Sequence, residues 1–146
     1  MVEKISAVTL RVANMRASVM FYRDLVGLEV VYGGEGAYFS SLRAKDGKDP
    51  ILNLEQGSPI PQWGRLIFQV PDVDVFWAYL NERGLSPEFP RDASWGERYF
   101  HLWDPDGHEL SFRASDQAIT QTSSEIFEQS ASVGTQRESP WRTTRF

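Results

Sequence analysis

One pattern occurs twice in this chain, and a duplicated unit restricts the fold more than any composition does. Leu10-Arg11-Val12-Ala13-Asn14 reads as the end of a strand running into a helix cap, and Phe68-Gln69-Val70-Pro71-Asp72 repeats it with an offset of 58, position 12 answering to position 70. From the cap Asn14, the residues Met15, Val19, Tyr22 and Val26 fall at i, i+4, i+7 and i+11, one face of a helix that stops at Gly27. From Asp72, Val73, Phe76, Trp77 and Leu80 form a similar face, and Gly84 ends that helix. Short β-like runs follow: Tyr38-Phe39 ahead of Asp46-Gly47, and Tyr99-Phe100 ahead of Asp106-Gly107. Asp-Gly suits tight hairpins because such turns need positive φ, and a further strand follows each, Ile51 to Glu55 and Glu109 to Arg113. Each half therefore reads βαβββ. The expected fold class is α+β, with two such modules, residues 1–57 and 62–114, making one domain over residues 1–114.

Beyond position 114 the repeat ends. Residues 115–146 are rich in Ser, Thr and Gln, and are expected to be a polar C-terminal tail, or else a docking arm through Ile126-Phe127 and Pro140-Trp141.

Composition excludes several chemistries. There is no cysteine, so disulfides, thiolate metal sites and a cysteine nucleophile all drop out. The net charge of -5 and the lack of a Lys/Arg run argue against nucleic acid as a partner. No apolar run reaches the length of a membrane helix, and the start, Met1-Val2-Glu3-Lys4, has no signal-peptide character. The expectation is a cytoplasmic protein with no membrane partner. Aromatic residues make up 13% of the chain, which suits either a large core or a stacking surface for a planar small molecule.

Strand periodicity divides the side chains between two faces. Val8, Leu10 and Val12 form one apolar set, so Ala7, Thr9 and Arg11 face the other way. Leu66, Phe68 and Val70 do the same against Arg65, Ile67 and Gln69. In the last strands Leu52 and Leu54 go to the core and leave Asn53 and Glu55; Leu110 and Phe112 leave Glu109, Ser111 and Arg113. Phe100 and Leu102 leave Tyr99, His101 and Trp103, and matching positions in the first half put Tyr38 and Ser40 on the same side. One such polar face alone reads as a solvated sheet. Two, delivered by a repeat, read as the lining of a cavity within a curled sheet.

The motifs Val12-Ala13-Asn14-Met15-Arg16-Ala17-Ser18, Phe21-Tyr22 with Gly27-Leu28, Trp95-Gly96-Glu97-Arg98 and Asp104-Pro105-Asp106-Gly107-His108-Glu109-Leu110 together resemble the vicinal-oxygen-chelate superfamily, which holds glyoxalases, bleomycin-resistance proteins and dioxygenases. The resemblance covers roughly Ile5 to Arg113. It implies the glyoxalase-like fold and a homodimer. Metal-dependent members take one ligand from the start of each half and one from its last strand. Those positions here are Ala7, Asn53, Arg65 and Ser111. They offer neither imidazole nor carboxylate, and Arg65 brings a fixed positive charge. No metal and no cofactor are therefore expected, and the resemblance points to the metal-free, bleomycin-resistance-like branch.

The expected function is metal-independent binding of a small molecule, such as an antibiotic or aromatic natural product. The rival is a lyase, isomerase or hydrolase of the same superfamily, metal-free or with an atypical metal, in which His101 and Glu109 act as acid and base. Arg65 suits a carboxylate or carbonyl on a ligand, or a salt bridge to Glu109 or Glu55. His101 suits a general base or a plain hydrogen bonder. Trp95, beside Gly96, either stacks on a ligand at the cavity mouth or packs under its loop, and Trp63 in the linker carries the same ambiguity. Trp77 is assigned to the core and His108 to the turn.

Overall fold

The computed structural model describes residues 1–114; the tail expected over 115–146 lies outside the described residues. The first half runs β1 (Ala7–Val12), α1 (Met15–Met20), a π-helical segment (Phe21–Val26), β2 (Glu29–Tyr32), β3 (Phe39–Arg43) and β4 (Ile51–Gln56). The second runs β5 (Arg65–Val70), α2 (Val73–Glu82), β6 (Arg91–Asp92), β7 (Arg98–Trp103) and β8 (Glu109–Ala114). Two four-stranded sheets result, in the orders β1-β4-β3-β2 and β5-β8-β7-β6, so the two halves share one topology.

The repeat extends to the register. β1 pairs parallel to β4 from Ala7 opposite Ile51 to Val12 opposite Gln56, and β5 pairs parallel to β8 from Arg65 opposite Glu109 to Val70 opposite Ala114. Both helices begin as the sequence requires. Asn14 Oδ1 accepts from the Ala17 amide at 3.0 Å, and Asp72 Oδ1 accepts from the Val75 amide at 3.0 Å, each satisfying an amide that the first helical turn leaves open. Both also end on a left-handed glycine, Gly27 with φ 91° and Gly84 with φ 83°.

The first helix departs from expectation in its second half, where it widens to π-helical geometry over Phe21–Val26. Two consecutive aromatic residues, Phe21 and Tyr22, are both buried in this segment, with rings meeting edge-on at 5.1 Å and 86°.

By its internal contacts the described chain divides into two compact units, Met1–Gly64 with Trp103–His108, and Arg65–Leu102 with β8 from Glu109. The first is centred on Leu10, Val12, Val19, Tyr22, Leu42 and Leu54, all buried. The second is aromatic. Phe112 stacks on Phe100 at 5.1 Å and on Phe68 at 5.4 Å, and meets Phe76 at 5.0 Å. Each such side chain contributes about 1.5–3 kcal/mol when fully buried.

Candidate functional site

The faces opposite these cores carry the polar residues. In the first sheet Ala7, Thr9 and Arg11 of β1 lie in register with Ile51, Asn53 and Glu55 of β4. Ser41 lies opposite Asn53 in β3. Ser41 Oγ donates to Asn53 Oδ1 at 2.7 Å, and Asn53 Nδ2 donates to Thr9 Oγ1 at 3.4 Å, so one amide joins three strands. Arg11 Nε faces Glu55 Oε2 at 3.7 Å.

Ser40 and Tyr38 were expected on this face, and Ser40 is not there. It pairs with Leu54 on the core side, is fully buried, and bonds the Gly34 amide at 2.9 Å and the Gly34 carbonyl at 3.1 Å. Tyr38 precedes β3 and is exposed. The cause is a slip of one residue: aligning Tyr38 and Ser40 with Tyr99 and His101 uses an offset of 61, and an odd error in register turns every side chain of a strand over. Ser41 is the residue that meets Asn53, as His101 meets Ser111.

The second sheet presents the denser chemistry. His101 is buried on β7, with Nδ1 2.6 Å from Ser111 Oγ on β8. Glu109 divides its oxygens, Oε1 standing 3.9 Å from His101 Nδ1 and Oε2 3.9 Å from Arg65 Nε on β5. The Arg65–Glu109 ion pair is one of the two outcomes expected for Arg65. Burial holds the His101 imidazole below the usual histidine range; Glu109 opposes the shift and Arg65 adds to it. The ring of Tyr99 lies 5.2 Å from that of His101, and the Arg91 guanidinium sits 5.5 Å from the Tyr99 ring centre. Trp103, at the end of β7, is exposed.

Glu97 was not singled out from the sequence, although it stands in the Trp95-Gly96-Glu97-Arg98 motif. It is 6% exposed, accepts from Trp95 Nε1 at 2.8 Å and faces Arg113 Nη1 at 3.3 Å. Trp95 is thus tied within its own loop through its polar edge.

The four positions that the sequence resemblance puts in the place of metal ligands do not fit a divalent ion. Ala7 has no donor, the Asn53 amide is engaged by Ser41 and Thr9, Arg65 is a cation paired with Glu109, and Ser111 is buried against His101. A second cluster, Asp104, Asp106 and His108, brings its oxygen and nitrogen atoms within 4.8 Å of one another. Its atoms are spent on hydrogen bonds. Asp104 Oδ1 accepts from the amides of Asp106 and His108 at 2.9 Å, Oδ2 accepts from Tyr22 Oη at 2.7 Å, and Asp106 Oδ1 accepts from the Ala13 amide at 3.1 Å. Burial, with the Asp104 carboxylate beside it, pushes the Tyr22 phenol well above the usual tyrosine value.

His108, expected as a simple turn residue, is buried and bonded on both ring nitrogens, to Trp63 and to the Arg11 carbonyl. A cavity of about 280 Å³ lies beside it, lined by Val8, Leu10, Arg11, Ile60, Trp63 and His108. Among the described residues no helix is long and apolar enough to cross a membrane.

Comparison with known proteins places this arrangement in a lineage. The chain is 27% identical over 118 residues to the metallothiol transferase FosB of Staphylococcus epidermidis, covering 75% of this chain and 82% of that protein. Its fold is similar to that of TnmS3, an antibiotic binding protein from Streptomyces sp. CB03234, with a TM-score of 0.67 and 24% identity over 77% of this chain and 96% of that one. It is similar also to a lactoylglutathione lyase from Agrobacterium tumefaciens, with a TM-score of 0.64 and 20% identity over 78% and 95% of the two chains. The sequence profile of one family matches residues 4–112, and with the duplicated βαβββ topology it shows that the chain belongs to the Glyoxalase/Bleomycin resistance protein/Dioxygenase superfamily.

Proposed function

We propose that this protein binds a small aromatic or amphipathic molecule, of the antibiotic or natural-product kind, without a metal. The observation that carries this reading is the condition of Ala7, Asn53, Arg65 and Ser111, which hold no carboxylate or imidazole and are engaged with neighbouring side chains wherever they have polar groups. The relative named as a metallothiol transferase is named for chemistry at a metal, and these four residues do not supply its donors. The antibiotic binding protein of similar fold supports sequestration.

In this reading Tyr99 and the exposed Trp103 supply flat apolar surface, Arg65 and Glu109 fix polar groups, and neutral His101 contributes a directed hydrogen bond. The working form is a cytoplasmic homodimer. The test is a thermal-shift and calorimetric screen of aromatic antibiotics, with the bound compound recovered and weighed by mass spectrometry. Expected are an unchanged ligand, about two- to tenfold weaker binding for Tyr99→Ala or Trp103→Ala, and less than stoichiometric Mn, Fe, Ni and Zn in purified protein. Turnover of the compound, lost on His101→Ala, would overturn sequestration in favour of catalysis.

That second reading has one observation behind it. Ser111 Oγ at 2.6 Å and Glu109 Oε1 at 3.9 Å both face Nδ1 of His101, an imidazole whose burial favours its neutral form. Such an arrangement serves a lyase, isomerase or hydrolase that moves a proton through His101 and Glu109.

A further inference from the structure

His108 lies in the turn between β7 and β8 and is 2% exposed. Trp63 Nε1, which only donates, lies 2.8 Å from its Nδ1; the Arg11 carbonyl oxygen, which only accepts, lies 2.9 Å from its Nε2. These partners leave one assignment, a neutral imidazole with its proton on Nε2. The ring therefore ties Trp63, in the segment leading from β4 to β5, to the backbone of β1. The same imidazole and indole form part of the wall of the 280 Å³ cavity.

A second proton on this ring goes to Nδ1 and sets two N–H groups against each other, with no acceptor between them. The bond to Trp63 cannot survive that. The charges around the ring come from several elements. Asp104 and Asp106, in the same turn, have carboxylate oxygens within 4.8 Å of the imidazole. From the first helix and its π-helical extension, Ser18 reaches Asp106 and Tyr22 reaches Asp104. From β1 comes Arg11, its guanidinium turned to Glu55. The segment 57–64 holds no ionisable side chain.

We propose that His108 is a proton-operated clamp: when neutral it holds Trp63 against β1 as a wall of the cavity, and when protonated it releases Trp63 and opens that wall. This is independent of which ligand the sheet faces bind.

The test follows the indole N–H of Trp63 in the full chain by ¹H–¹⁵N NMR, assigned with Trp63→Phe, from about pH 8 to about pH 5. The expected result is a Trp63 signal that moves and loses exchange protection on the same curve as the His108 ring. In His108→Gln the amide oxygen accepts from Trp63 and the NH₂ donates to Arg11, so the bond persists and the pH step disappears. A Trp63 signal unmoved while His108 titrates, a ring that stays neutral down to about pH 5, or the same step in His108→Gln would overturn the proposal. So would a neutral ring in the wild type with its proton on Nδ1, a measurement that decides the matter even if the variant fails to fold.

Discussion

His101 Nδ1 lies 2.6 Å from Ser111 Oγ, and both side chains are buried. Ser111 is one of the four positions that the sequence resemblance puts in the place of metal ligands, and its hydroxyl is committed to an imidazole. Glu109 Oε1 stands 3.9 Å from the same nitrogen.

The burial of His101 makes stability depend on pH. Its folded-state value lies below the ordinary 6.5, so the unfolded chain takes the proton more readily. The contribution is whole above about pH 6.5 and is lost as the pH falls through the folded value. Urea unfolding across this range is expected to show a smaller acid-side loss in His101→Gln than in the wild type; equal losses would refute the assignment. In NMR titration Glu109→Gln lowers the His101 value further, and Arg65→Met raises it.

Tyr22 Oη supplies one of the three hydrogen bonds that hold the buried Asp104 carboxylate. Tyr22→Phe removes that donor with little change in shape. The expected cost is about 1.5–3 kcal/mol, the range for a hydrogen bond to a charged group, read as a lower denaturation midpoint with unchanged slope.

Phe112 contacts three other aromatic rings and is fully buried. Phe112→Ala should destabilise the protein by about 3–5 kcal/mol. Phe68→Ala, at a partly exposed ring on β5, should cost clearly less in the same chemical denaturation experiment.

Glu97 holds the Trp95 indole and faces Arg113. Glu97→Gln keeps an acceptor for the indole, whereas Glu97→Ala removes it. Tryptophan emission is expected to shift to the red in the alanine variant and to hold in the glutamine variant, with a stability loss of about 1–3 kcal/mol for alanine, discounted for the partial exposure of Arg113. Identical emission from both would show that the tie is not formed.

The duplication was legible because each part of it has a local cause. Caps at Asn14 and Asp72, glycine stops at Gly27 and Gly84, and alternation in β1, β4, β5 and β8 are all written within a few residues. What escaped depended on partners far along the chain. Ser40 and Ser41 are told apart by the strand paired with β3, and an alignment one residue off chose the wrong serine. His108 looks like a turn residue until Trp63, 45 positions away, donates to it. Glu97 reads as an ordinary loop acid until Arg113, 16 positions away, is placed against it. The widening at Phe21–Val26 leaves no periodic mark, since Met15, Val19, Tyr22 and Val26 keep helical spacing on paper.

The parallel pairing of the first strand of each half with its last carries a consequence for folding. Ala7 has no ladder neighbour in its own sheet until Ile51 arrives, and Arg65 waits in the same way for Glu109. Each half thus adds one parallel pairing between distant segments, β1 with β4 or β5 with β8, and contacts of that long reach along the chain are the ones that slow folding.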